Sequence, residues 1–278
     1  MAFTQRKREK MAVPIKTVKT EHFDMDYFTF GRGKKTMVIV PGVSVKGPSA
    51  NADVTVESYD PLTDDFTIYV FDRRKDLPAA YTIWDAARDT AKAMTALNLK
   101  NVYLLGTSQG GRIAMAIAIK QPELVEKLVL ASTSARLSQD QYALFDRWIS
   151  FAESGDALGL YMSFGETLYP EYMLEDFKQM LIDEAKTVTT DELRRFVIIL
   201  SEGKQVFDPT SQLKEIDCPV LVIGGIDDQV MGSDAGLYIA KHLAPQKDVV
   251  LQLYDGYGHM PYDLAPDFKE RLKQFFLS

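Results

Sequence analysis

Short runs of aliphatic and β-branched residues recur along the chain, and the stretches between them carry apolar positions at helical spacing. Across residues 22–30, Phe23, Met25, Tyr27 and Thr29 alternate, which predicts an early, half-exposed antiparallel strand. Continuous apolar runs follow at Met37-Val38-Ile39-Val40, Phe66 to Phe71, Val102-Tyr103-Leu104-Leu105, Lys127-Leu128-Val129-Leu130, Val220 to Ile223 and Val249 to Leu253. Runs this short suit strands buried on both faces of a parallel sheet. Ile83, Ala86, Ala87, Thr90, Ala91, Met94 and Leu97 trace one face of a helix. Ile113, Ala114, Ile117 and Ala118 trace a second, ending before Gln121-Pro122, and residues 234–243 and 262–277 predict two more. The alternation of strand and helix predicts an α/β doubly wound sheet.

One stretch breaks the rhythm. From about Ala135 to Leu213 only helical patterns occur, rich in aromatics such as Phe145, Trp148, Phe164 and Phe196. A structureless loop of that length is implausible in a compact domain. Residues 135–213 are therefore read as a helical cap inserted between two late strands. The core comprises 21–134 and 214–278, after an N-terminal extension over 1–20. The cap aromatics serve either as the small core an inserted subdomain needs or as an apolar pocket lining.

Composition changes this picture little. Hydrophobic residues at 46% and charged residues at 26% fit a soluble globular protein. The formal net charge of −7 argues against nucleic acid as a partner. Arg6-Lys7-Arg8 is read as a solvated terminus. Cys218 is the sole cysteine, so no intrachain disulfide forms, and its place before an apolar strand suggests a small buried hydrophobe. With neither a secretory pattern nor a membrane-spanning apolar run, the expectation is a cytoplasmic protein without a membrane partner, a monomer or homodimer. No metal cluster, phosphate loop or dinucleotide fingerprint is visible, so no cofactor or metal is expected.

Gly106-Thr107-Ser108-Gln109-Gly110 follows a predicted strand and opens a predicted helix. That context is what a nucleophile elbow requires: a sharp turn lifts the serine oxygen above the carboxyl ends of the strands, and small neighbours let the backbones cross. A Gly/Ser-rich turn that merely joins strand to helix is the bland alternative, and the flanking elements argue against it. With this elbow, Val40-Pro41-Gly42, Phe71-Asp72-Arg73, Gly225-Ile226-Asp227-Asp228 and Gly258-His259, the sequence from Thr36 to Phe276 resembles the α/β-hydrolase superfamily, in the branch with a helical cap. The resemblance implies a mostly parallel central sheet flanked by helices and a serine hydrolase of the carboxylesterase type.

A serine hydroxyl needs an adjacent base. Of His22, His242 and His259, only His259 lies in a glycine-rich loop just after the last strand, at the sheet edge expected to carry Ser108. Asp227 and Asp228 both follow the strand ending at Gly224-Gly225. The resemblance maps the orienting acid to Asp228, giving the chain order Ser108, Asp228, His259. Asp227 is the runner-up and Asp255 a weaker third choice. Oxyanion donors are expected from the backbone N–H of Gln109 and, by resemblance, of Val43.

Two departures from the family stand out. Pro41-Gly42 replaces the usual His-Gly, and the Gly, Ser and Pro-rich stretch from Val43 to Asn51 reads as a lid edge or an exposed loop. Asp72-Arg73-Arg74-Lys75-Asp76 lacks the glycines common among relatives and reads as a solvated turn. The expected reaction is hydrolysis of a small-molecule carboxylic ester through an acyl-enzyme. Amide, thioester, peptide and acyl-transfer chemistry use the same machinery, and a non-catalytic binding protein is the remaining alternative.

Overall fold

The computed structural model describes residues 12–201, 207–243 and 248–278, so the basic run at Arg6-Lys7-Arg8 lies outside the described residues. Eight strands form one sheet. In chain order they are β1 (Lys16–Lys19), β2 (Asp24–Gly31), β3 (Lys35–Val40), β4 (Phe66–Arg74), β5 (Val102–Thr107), β6 (Val125–Ala131), β7 (Val220–Gly225) and β8 (Val249–Tyr254). They lie side by side as β1-β2-β4-β3-β5-β6-β7-β8. β1 and β2 are antiparallel to their neighbours, and every pairing from β4 through β8 is parallel. β1 corrects the expectation of an extension over 1–20. Val18 turns inward with 4% exposure while its strand neighbours face solvent, enough to pair the segment with β2.

Ten α-helices accompany the strands among the described residues. They are α1 (Ala52–Ser58), α2 (Ile83–Ala96), α3 (Gln109–Lys120), α4 (Gln139–Glu153), α5 (Ala157–Leu168), α6 (Glu171–Ala185), α7 (Thr190–Ser201), α8 (Ala235–His242), α9 (Pro261–Leu264) and α10 (Phe268–Leu277). One face of the sheet packs on α2, α3 and α8 through residues such as Met94, Ile117 and Ile239. The other packs on α1 and α10 through Ala52, Phe268 and Phe276. α1 has no apolar stripe strong enough to have been foreseen, and it buries only Ala52. The single helix expected over 262–277 is two helices. Pro266 disfavours helical geometry at Ala265, which takes an extended ψ of 122° and separates α9 from α10.

Helices α4 to α7 all lie between β6 and β7 and share an apolar cluster of their own. Phe145, Trp148, Leu160 and Phe196 fill it, and Val45, Val230 and Met231 from the loops at the sheet edge join it. This cluster glues the four helices over one end of the sheet. The register explains which end. Val40 pairs with Gly106, Gly106 with Leu130, Ala131 with Ile223 and Gly225 with Tyr254, so the chain leaves β3, β5, β6, β7 and β8 at one edge, beneath the cap.

Candidate active site

Ser108 stands between β5 and α3 with φ 54° and ψ −126°. A side-chain-bearing residue adopts that region at a cost of about 1–3 kcal/mol, so the surroundings must hold it there. The Ser108 N–H donates to the Ala131 carbonyl at 2.9 Å, and the Gly111 N–H donates back to the Ser108 carbonyl at 2.9 Å. The turn also depends on bare backbone nearby. A Cβ at Gly110 would lie 1.9 Å from the Val40 carbonyl oxygen, and one at Gly42 would lie 2.9 Å from Ser108 Cβ. Neither position has room for alanine.

His259 arrives from the loop after β8 and is buried with 1% exposure. Its Nε2 is 3.0 Å from Ser108 Oγ, and its Nδ1 is 2.8 Å from Asp228 Oδ2. The other carboxylate oxygen of Asp228 accepts the N–H groups of Val230 at 2.8 Å and Met231 at 2.9 Å. Asp228 is thus fixed by backbone donors and faces the ring of His259. Asp227 points elsewhere and accepts the Gly258 N–H at 2.9 Å, tying down the loop that carries His259. Asp255 is exposed. His22 is exposed at the far edge of the sheet, beside β2. His242 ends α8 with its Nδ1 2.8 Å from the Tyr238 carbonyl. The fold brings Ser108, Asp228 and His259 together and keeps the other histidines away.

Gln109 opens α3, so its backbone N–H belongs to the first helical turn, where no carbonyl of the helix can accept it. Val43 follows Pro41 and Gly42 in the loop after β3, and the Gly42 N–H donates to Thr107 Oγ1 at 3.2 Å. Val43, Ser108, Gln109, Phe145, Trp148 and Met231 border a cavity of about 20 Å³, room for one water molecule. The ring of Tyr262 stands edge-on to His259 at 6.1 Å. Burial pushes the Tyr262 phenol well above its ordinary range, so it is an uncharged neighbour of the imidazole.

The cap touches the site directly. The His259 N–H donates to the carbonyl of Leu168, the last residue of α5, at 3.0 Å. The stretch from Val43 to Asn51 is neither free nor simply exposed: Val45 is buried at 2%, and Lys46 Nζ lies 2.6 Å from both Glu184 Oε2 and Thr187 Oγ1. The expectation of a solvated turn at 72–76 also fails. β4 runs on to Arg74, and Arg73 is buried at 4%. Its Nη2 donates to the Pro41 carbonyl at 3.1 Å and to Gln109 Oε1 at 3.0 Å. Sequence reasoning missed Arg73 because a charge run alone reads as solvated. Its place directly after an apolar strand in the same parallel sheet was the available signal.

Residues 57–266 match the family model described as alpha/beta hydrolase fold. The chain belongs to the α/β-hydrolase fold family. Among known members, it is 30% identical over 224 residues to the protein of Agrobacterium fabrum named "Putative carbamate hydrolase RutD", an alignment spanning 78% of this chain and 85% of the relative. The alpha/beta hydrolase enzyme MGS-M2 from a deep-sea metagenome library of the Medee basin superposes with a TM-score of 0.82 at 20% identity, covering 95% of this chain and 98% of that one. The enol-lactonase from Burkholderia xenovorans LB400 superposes with a TM-score of 0.77 at 18% identity, covering 95% and 100%. α/β-hydrolase membership accounts for the parallel sheet, the sharp turn at Ser108 and the chain order of the three site residues. No helix among the described residues is long and apolar enough to cross a membrane.

Proposed function

We propose that this α/β hydrolase is a serine hydrolase that cleaves a carboxylic ester of a small substrate through an acyl-enzyme. The unbroken line of contacts from Asp228 to His259 to Ser108, at 2.8 and 3.0 Å, carries the reading. With its proton on Nδ1, His259 donates to Asp228 and presents a lone pair at Nε2 to the serine hydroxyl. Ser108 Oγ attacks the acyl carbon as its proton passes to Nε2, and Asp228 stabilises the imidazolium that results. The backbone N–H groups of Val43 and Gln109 take the developing oxyanion. The imidazolium then protonates the leaving group, and a water activated by the same ring releases the acid.

The small, largely apolar cavity beside Ser108 favours a short acyl group. A carbamate is the second reading. It is favoured by similarity to the Agrobacterium fabrum relative named for carbamate hydrolysis.

A fluorophosphonate probe is expected to label the wild-type protein and leave Ser108→Ala unlabelled, as read by mass spectrometry. Equal labelling of both proteins sinks the assignment of the nucleophile. A series of p-nitrophenyl esters should show turnover falling beyond the shortest acyl chains. Turnover of an aryl carbamate above all of these esters would replace the ester reading with the carbamate one.

A further inference from the structure

The Asp72-Arg73-Arg74 segment has no part in the chemistry above, yet it converges on both sides of the oxyanion site. One nitrogen of Arg73 bridges the Pro41 carbonyl, two residues before Val43, and the side chain of Gln109, whose own N–H is the other oxyanion donor. Both acceptors are uncharged. A buried guanidinium ordinarily seeks a carboxylate that offsets its lost hydration, whereas here it links two loops. The Gln109 amide nitrogen donates in turn to the Ile199 carbonyl of cap helix α7 at 2.9 Å. One turn earlier on α7, Arg195 donates to the carbonyls of Arg73 at 3.1 Å and Arg74 at 3.0 Å, and to Asp72 Oδ1 at 3.1 Å. The oxyanion loop, the elbow and the cap therefore meet on one hydrogen-bonded strut.

We infer that Arg73 and the Gln109 side chain are positioning residues that set the spacing of the two oxyanion donors, and that cap helix α7 completes this assembly. The inference rests on the serine-hydrolase reading. Its physical basis is that oxyanion donors act only when held where charge develops, and a small misplacement of either N–H lowers the rate without weakening ground-state binding. The flat, forked guanidinium serves two acceptors at fixed angles. A lysine ammonium in its place keeps the charge but lacks the fork.

The test compares Arg73→Met, Arg73→Lys and Gln109→Met with the wild type on p-nitrophenyl acetate, together with inhibition by an alkyl boronic acid that mimics the tetrahedral adduct. Gln109→Met keeps the backbone N–H and removes only the strut. Both methionine variants should lose at least tenfold in kcat with KM within twofold of wild type, and boronic acid affinity should fall in parallel. Arg73→Lys should fail to rescue the rate. The double variant should be no worse than the poorer single one, because both cut the same connection. A folded variant with wild-type kcat and boronate affinity, or a loss confined to KM, overturns the positioning role. If Arg73→Met does not fold, Gln109→Met decides by the same criteria. A wild-type protein that turns over no ester and takes no fluorophosphonate sinks the serine-hydrolase reading itself; a labelled wild type with unimpaired variants sinks this inference alone.

Discussion

Asp227 and Asp228 are chemically identical neighbours given different work by less than one turn of backbone. Asp228 accepts from the His259 ring and from two N–H groups, and Asp227 holds the Gly258 N–H. Asp228→Asn should cost kcat about 10⁴-fold, since an amide cannot hold the imidazole in the reactive tautomer. Asp227→Asn should cost no more than about tenfold, because it weakens one hydrogen bond worth about 1 kcal/mol in a loop that stays anchored at Leu168. Kinetics on p-nitrophenyl acetate separate the two, and equal losses would leave the distinction without support. Chain order singled out His259 and the pair of aspartates. The choice within the pair came from family resemblance, because a one-residue step reverses where a side chain points only once the turn geometry is known.

Helix α4 contributes side chains to the shared apolar cluster and to the cavity beside Ser108 at once. Trp148 on α4 packs edge-on against Phe164 at 4.9 Å, donates from its indole to Ser163 Oγ at 3.0 Å and borders the cavity beside Ser108. Trp148→Ala should destabilise the protein by about 3–5 kcal/mol in urea unfolding, the ordinary cost of truncating a buried aromatic. It should also shift the ester profile toward longer acyl chains, because the lost volume adjoins Ser108. An unchanged chain-length profile in the folded variant would make Trp148 purely structural. Aromatic spacing in the sequence pointed to both uses of such residues. Trp148 serves both, which no one-dimensional pattern distinguishes.

The cap reaches the sheet layer through the His259 loop, the Lys46 contacts, the Arg195–Asp72 and Ile199–Gln109 hydrogen bonds and apolar packing. Such cross-bracing predicts that cap and core unfold as one cooperative unit. The chain has two tryptophans, Trp84 packed against the sheet layer and Trp148 in the cap, so Trp148→Phe and Trp84→Phe leave one reporter in each. Their urea transitions should have the same midpoint once each variant's stability is corrected by far-UV circular dichroism. Two separated transitions would show the cap to be an independent folding unit.

Periodicity and turn chemistry were enough to lay out the strands from β2 to β8, the helical stretch between β6 and β7 and the elbow at Ser108, though not β1 or α1. These are local features, dictated by which residues repeat every two or 3.6 positions and by where glycine must stand. The pairing of Val18 with β2, the break at Ala265-Pro266 and the burial of Arg73 were settled only by tertiary structure. Burial of a charged side chain depends on what lies across from it, and Pro41, Gln109 and Ile199 come from three distant parts of the chain. The same holds for the site: residues 108, 228 and 259 become neighbours only because the sheet register ends β5, β7 and β8 at one edge.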